Sequence, residues 1–255
     1  MGDTTTISWA QKTYNAWIGC QKVGPLCENC YAEERDQRFE GGEHWGPGAP
    51  RRETAISTRN APLRWQREAE REGVRYRVFC ASLSDWADNA VPDSWRMGIA
   101  DKIRATPNLD WMLLTKRIGN VERYLGMMFP EGVPSNVWLG ISVGTQTEAD
   151  RDIWRACRAK LDLGISVLFL SMEPLLERVE IEAVDWADID VVLVGGESGR
   201  KARHLDIDWA RDLLRQARAA GKAFHMKQLS QADHPQSYGD FETFPADLQV
   251  RELPA

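Results

Sequence analysis

Three of the five cysteines, Cys20, Cys27 and Cys30, stand in the spacing C-x6-C-x2-C. Thiolates are the soft ligands that iron–sulfur clusters and zinc require, and C-x2-C across a helix start brings two sulfurs to one metal centre. A 4Fe-4S cube normally takes four thiolates, one per iron. Three thiolates leave one iron open to the amine and carboxylate of a small molecule, a need that S-adenosylmethionine meets. Reductive cleavage of that molecule gives a 5′-deoxyadenosyl radical that abstracts hydrogen from an unactivated position. The difficult chemistry is then the cofactor's, and the protein orients it. Two rival readings stay open: a structural zinc on the three cysteines and His44, and buried thiols that hold nothing. Cys80 and Cys157 fall in a strand-like and a helix-like stretch, where core packing accounts for them.

The elements that position this motif follow from apolar runs at Asn15–Gly19, Val78–Ser82, Trp111–Thr115, Val137–Val143, Val167–Ser171, Asp190–Val194 and Ala223–Lys227, with helical stretches between them. That alternation predicts strand–helix units and a parallel sheet. Near-continuous runs such as VLFL and VVLV fit strands buried on both faces. Ser94–Arg104 and Trp209–Ala220 show helical spacing, the second with Asp208 as N-cap and Gly221 as its stop. The expectation is an α/β fold, a (β/α) barrel that is partial or open, of six to eight units. Barrels place their chemistry at the C-terminal ends of the strands.

Every strand end here is polar or cysteine. Cys20 follows the first strand, and the motif closes at a helix beginning near Tyr31. Ser82, Ser84 and Asp85 follow the second, and Asp85 is placed either to bind ribose hydroxyls or to cap a helix. Lys116 and Arg117 follow the third, Ser142 ends the fourth, and Glu173 the fifth. Gly195-Gly196-Glu197 ends the sixth and Lys227-Gln228 the seventh. An unpaired carboxylate there is costly, so Glu173 and Glu197 need a cation or a ligand. A salt bridge to Lys116, Arg117 or Lys227 competes with binding of a cofactor or substrate amine by Glu173. Lys116 and Lys227 suit a carboxylate or phosphate. Gly195 and Gly196 allow close backbone approach, by adenosine or simply in a tight turn.

Composition bounds the rest. With 255 residues, 43% hydrophobic and 27% charged, one folded domain spanning 1–255 is expected, with 231–255 as a C-terminal tail or lid. No apolar run approaches a membrane span, and the start MGDTTTISW lacks a signal-peptide layout, so a cytoplasmic place in a bacterium or phage-infected host is expected. A net charge of -6 argues against wholesale coating of nucleic acid, although the eight arginines from Arg51 to Arg77 leave a local phosphate-binding face open beside the plainer reading of a solvated helix. Trp86, Trp95, Trp154 and Trp209 read as core. Trp45, in the glycine-rich loop, is the candidate for stacking on a base.

The chain resembles the phage-associated three-cysteine-motif proteins, which are radical S-adenosylmethionine-like, over nearly its whole length. The resemblance is carried by Gly19-Cys20, Cys27-x-x-Cys30-Tyr31-Ala32-Glu33, Cys80-Ala81-Ser82-Leu83-Ser84-Asp85, Leu114-Thr115-Lys116-Arg117, Asn136 to Val143, Leu170 to Leu176, Gly195 to Gly199 and Lys227-Gln228. It implies a 4Fe-4S cluster on Cys20, Cys27 and Cys30, bound S-adenosyl-L-methionine, and a protein reductant such as flavodoxin or ferredoxin. It further implies a cofactor contact from Ser142, at the end of the fourth strand. The broader superfamily's spacing is C-x3-C-x2-C with an aromatic before the third cysteine; here the gap is six, Asn29 holds that place and Tyr31 comes after it. Its glycine-glycine-glutamate motif usually ends the second strand, whereas Gly195-Gly196-Glu197 ends the sixth. The phage association points to an isomerase-like or other modifying step on a nucleobase or amino-acid-modified nucleotide in DNA, flipped out of a duplex to reach the barrel mouth. The alternative is a non-enzymatic zinc or iron–sulfur protein binding nucleic acid or a partner protein; a hydrolase on Glu173 and Glu197 lacks a nucleophile–base pair.

Overall fold

A computed structural model describes residues 5–254; the polar start 1–4 and the last residue of the tail lie outside them. Seven parallel strands form one curled, open half-barrel in the order β1 (Lys12–Tyr14), β4 (Tyr76–Cys80), β5 (Leu109–Thr115), β6 (Val137–Ser142), β7 (Val167–Met172), β8 (Val191–Gly195), β9 (Ala223–Gln228). Six of these lie within about two residues of the apolar runs. The first differs. Asn15 is fully buried and spends its side chain on the neighbouring strand's exit, accepting from Leu83 N at 2.7 Å and donating to Ser82 Oγ at 3.0 Å. The backbone therefore leaves the sheet after Tyr14, and the next residues, β2 (Trp17–Ile18), pair with β3 (Arg52–Glu53) in a separate antiparallel ribbon.

Strand side chains alternate between two faces. Val78, Trp111, Leu139, Leu170 and Val192 belong to the main core, which the helices cover. Those helices are α3 (Ala61–Glu72), α4 (Asp93–Arg104), α5 (Val121–Met128), α6 (Gln146–Leu163) and α7 (Ile207–Ala219); α1 (Tyr31–Phe39) packs Ala32 in a separate small cluster, and α2 (Ile56–Arg59) buries no residue. Phe79, Met112, Trp138, Phe169 and Leu193 form the inner cluster, closed by Trp9, whose ring meets Phe79 edge-on at 4.7 Å. At Gly140 a Cβ would lie 2.0 Å from the Phe169 ring, so that ring can cross the inner face only where a side chain is missing.

The N-cap of α7 is Asp206, which accepts from Asp208 N at 3.0 Å, rather than Asp208 itself; Gly221, at φ 68, does end the helix. The arginine-rich segment is largely spent on carboxylates: Arg51 is buried on Asp88 at 2.8 Å, Arg52 meets Glu40 at 2.9 Å and Arg75 meets Asp110. Trp86 is core and Trp95 and Trp209 pack against it, but Trp154 is 48% exposed on α6. Within the tail, Tyr238 lines a cavity at the strand ends. The tail then runs back along β9, with Met226 N donating to Val250 O at 2.8 Å and Glu252 N to Phe224 O at 3.0 Å, and so covers an otherwise open strand edge. Among the described residues no helix is long and apolar enough to cross a membrane.

His225 is buried on the inner face of β9, its Nε2 2.8 Å from Ser8 Oγ. Burial, with Arg251, Arg77 and Lys227 nearby, lowers its pKa to about 3. The unfolded chain takes up this proton near pH 6.5 and the folded chain does not, so stability is unaffected above that pH and falls as pH drops toward 3, by about 1.4 kcal/mol per unit. Denaturant titrations between pH 6 and pH 4 should give His225→Gln a shallower acid slope than wild type by about one proton; equal slopes would refute the assignment.

Candidate metal and cofactor site

The cysteine loop is fixed at both ends. Gly19 bridges Ser84 and Cys20 bridges Trp45, and at Gly19 (φ 114) a Cβ would stand 2.5 Å from the His44 carbonyl oxygen. Only glycine fits that approach. Cys27 closes a 3₁₀ turn, Pro25–Cys27, and Cys30 is the extended N-cap residue of α1. All three thiols line one cavity of about 560 Å³ at the C-terminal ends of the strands. Burial pushes the Cys20 thiol up to about 12, with Asp85 adding to the shift, and pushes Cys30 upward as well.

Three thiols on one cavity wall are soft donors of the kind iron–sulfur clusters take. Among the described residues no three Cys, His, Asp or Glu side chains converge as ligands of one metal ion. His44, the fourth ligand of the zinc reading, holds its Nδ1 2.9 Å from Asp36 Oδ1 and is absent from the cavity wall. A cube binds one thiolate per iron, so its sulfur ligands stand around a body rather than around a point.

Tyr31, Ser82, Lys116, Ser142, Glu173 and Lys227 line the same cavity. Lys116 Nζ donates to Ser142 Oγ at 3.1 Å, the Tyr31 hydroxyl donates to Ser82 O at 2.8 Å, and Lys227 pairs with Glu173 Oε2. The other oxygen, Glu173 Oε1, is buried without a partner among the described residues, as are Thr13 Oγ1, Arg35 Nη1 and Ser84 Oγ, all from residues that line this cavity. Buried polar groups are normally hydrogen-bonded. Four such orphans around one void describe a wall shaped for a ligand with both donors and acceptors. Trp45 lies on the same wall.

Asp85 lines the cavity but is saturated by protein. Its Oδ1 accepts from Ala87 N at 2.9 Å and Thr115 Oγ1 at 2.7 Å, and its Oδ2 from Lys116 N at 3.1 Å and Arg117 Nη1 at 2.7 Å. That leaves little for a ribose; Asp85 holds Arg117 instead. Arg117, read from sequence only as a counter-ion, reaches Cys20 Sγ with Nη1 at 3.5 Å and Nη2 at 3.6 Å. Although burial opposes it, Asp85 keeps its pKa above the ordinary arginine value.

Gly195, Gly196 and Glu197, expected beside the cofactor, do not line the cavity. At Gly196 a Cβ would lie 2.4 Å from Ser230 N, so the close approach is by the chain leaving β9. Gly195 O accepts from Leu175 N, and Gly196 N donates to Gln228 O. Glu197 accepts from Arg203 Nε at 2.9 Å, Nη2 at 2.6 Å and backbone N at 2.8 Å, and from Asn29 Nδ2 at 3.0 Å. It ties the cysteine loop to the loop after β8. Despite burial, those donors hold its carboxyl below the usual range.

An open α/β half-barrel with three cysteines and several unsatisfied polar groups at its mouth is the class that fold and site define. Within it, the chain belongs to the family described as "Protein of unknown function (DUF5131)", which it matches over residues 4–242. No curated protein matched the chain. Its fold is similar to solved structures of spore photoproduct lyase. The complex with dinucleoside spore photoproduct aligns at a TM-score of 0.52 and 14% identity, covering 83% of this chain and 73% of the other. A doubly substituted lyase with bound AdoMet and dinucleoside spore photoproduct aligns at 0.53 and 15% identity over the same shares.

Proposed function

We propose that this chain is a radical S-adenosylmethionine enzyme. Cys20, Cys27 and Cys30 would hold a 4Fe-4S cluster, which when bound supplies reductive cleavage of S-adenosylmethionine to a hydrogen-abstracting radical. The observation that carries the reading is three thiols on one cavity wall that also presents four orphaned polar atoms. Glu173 Oε1 accepts from an ammonium, and Lys227 holds the same carboxylate in place through its other oxygen. Lys116, set by Ser142, faces a carboxylate or phosphate. Phe79, Trp9 and Leu114 keep water from the inner end, which protects a reactive radical. The substrate we infer is a nucleobase or amino-acid-modified nucleotide, and the phage-type resemblance favours a DNA-modifying step such as an isomerisation. The fold similarity to a lyase solved with dinucleoside spore photoproduct supports a nucleic-acid substrate. A small acidic reductant such as flavodoxin or ferredoxin would deliver the electron, and the chain would act as one domain.

The test is anaerobic reconstitution with subsequent iron, sulfide and 5′-deoxyadenosine quantitation in the presence of S-adenosylmethionine and dithionite. About four iron per chain and release of 5′-deoxyadenosine are expected. Colourless protein carrying one zinc would overturn the reading.

A further inference from the structure

Among the described residues, Arg117 is the cation whose guanidinium touches a thiol of the motif. Its side chain is 8% exposed and fixed on every side: Nη1 donates to Asp85 at 2.7 Å, Nη2 to Gln21 O at 3.0 Å, and Asp88 stands 3.9 Å away. Asp88 is itself pinned by Arg51 at 2.8 Å. Asp85 is held by Ala87, Thr115 and Lys116 from two separate strand exits. Such a network fixes both the direction of the guanidinium and the place of the sulfur it reaches. A planar guanidinium can serve a carboxylate, a carbonyl and a sulfur together, which an ammonium cannot. Hydrogen bonds to the sulfurs of an iron–sulfur cluster and the local charge are among the levers that set its reduction potential.

We propose that Arg117 is a positioning residue that aims the Cys20 thiolate and, by donating to its sulfur, raises the reduction potential of the bound cluster. The proposal rests on the cluster assignment made above. Reduction adds one electron to the cluster and its ligands. A buried donor and positive charge at Cys20 stabilise the more negative, reduced state more than the oxidised one. Arg117 thereby eases the electron transfer that precedes any chemistry.

The test is potentiometric titration of the reconstituted full chain with dithionite, monitored by visible absorption and electron paramagnetic resonance. Wild type is compared with Arg117→Gln and Arg117→Lys, and iron and sulfide are assayed on each. Arg117→Gln should load cluster and shift its potential negative by about one decade in the reduction equilibrium, or ~59 mV for one electron. Arg117→Lys keeps the charge beside Asp85 and should recover only part of that shift; it also carries the test if the glutamine variant does not fold. A wild-type potential in fully loaded Arg117→Gln overturns the proposal, and full restoration by lysine overturns the part assigned to the guanidinium's planar fork, because an ammonium supplies the same charge and a donor. Failure of the wild type itself to take up iron removes the cluster reading and this proposal together, which the wild-type iron assay separates from failure of Arg117 alone.

Discussion

Cys27→Ala is expected to take iron and sulfide to background and to abolish 5′-deoxyadenosine formation. Two remaining thiolates hold two corners of a cube and leave two irons exposed to solvent and chelators. Cys27 is the most informative of the three because it is the buried one, at the end of the 3₁₀ turn, while Cys20 and Cys30 are partly exposed. It lies outside the main hydrophobic core, so the metal-free variant should melt close to metal-free wild type. Retained iron with full turnover in Cys27→Ala would falsify the cluster assignment. A metal-free variant melting well below metal-free wild type would make the thiol a packing element.

Asp85→Ala should be the most damaging change among the strand-end carboxylates, and the damage should be to folding. The wild-type carboxylate is buried and receives four donors, from Ala87, Thr115, Lys116 and Arg117. Removing it leaves the Arg117 guanidinium, in a poorly solvated site, with Asp88 at 3.9 Å as its nearest carboxylate, and breaking a buried pair costs about 3–5 kcal/mol. For a chain of this size that corresponds to a fall of roughly 10 °C in the melting temperature of metal-free protein. Unchanged melting with weakened binding of S-adenosylmethionine would instead make Asp85 a ligand, as its position after a strand first indicates.

Why some residues are legible from sequence and others are not comes down to alternation. Along β5, β6, β7 and β9 the inner face reads Met112-Leu114, Trp138-Gly140, Phe169-Ser171 and His225, and one step further along the same face stand Lys116, Ser142, Glu173 and Lys227. Side chains two apart share a face, so strand position alone brings these four into the cavity. On β8 the same count would deliver Gly195 and then Glu197. It fails because the pairing with β9 slips between Val194 and Gly195, where Val194 faces Met226 but Gly195 faces Gln228. A bulge re-aims the residues beyond it, and no local signal marks this one. The first strand is misplaced by sequence for a related reason: the apolar character of Ala16 to Ile18 marks burial, not membership of the barrel, because Asn15 turns the backbone away with its side chain. Arg117 is equally opaque, since its partner Cys20 lies 97 residues away in the chain.

The tie between Glu197, Arg203 and the cysteine loop also orders events during synthesis. Asn29 waits for a partner 168 residues downstream and Glu28 for one 175 residues downstream. Translation must therefore pass Arg203 before the turn carrying Cys27 and Cys30 acquires its anchor. The thiols of Cys27 and Cys30 therefore lack this tether until most of the polypeptide has emerged.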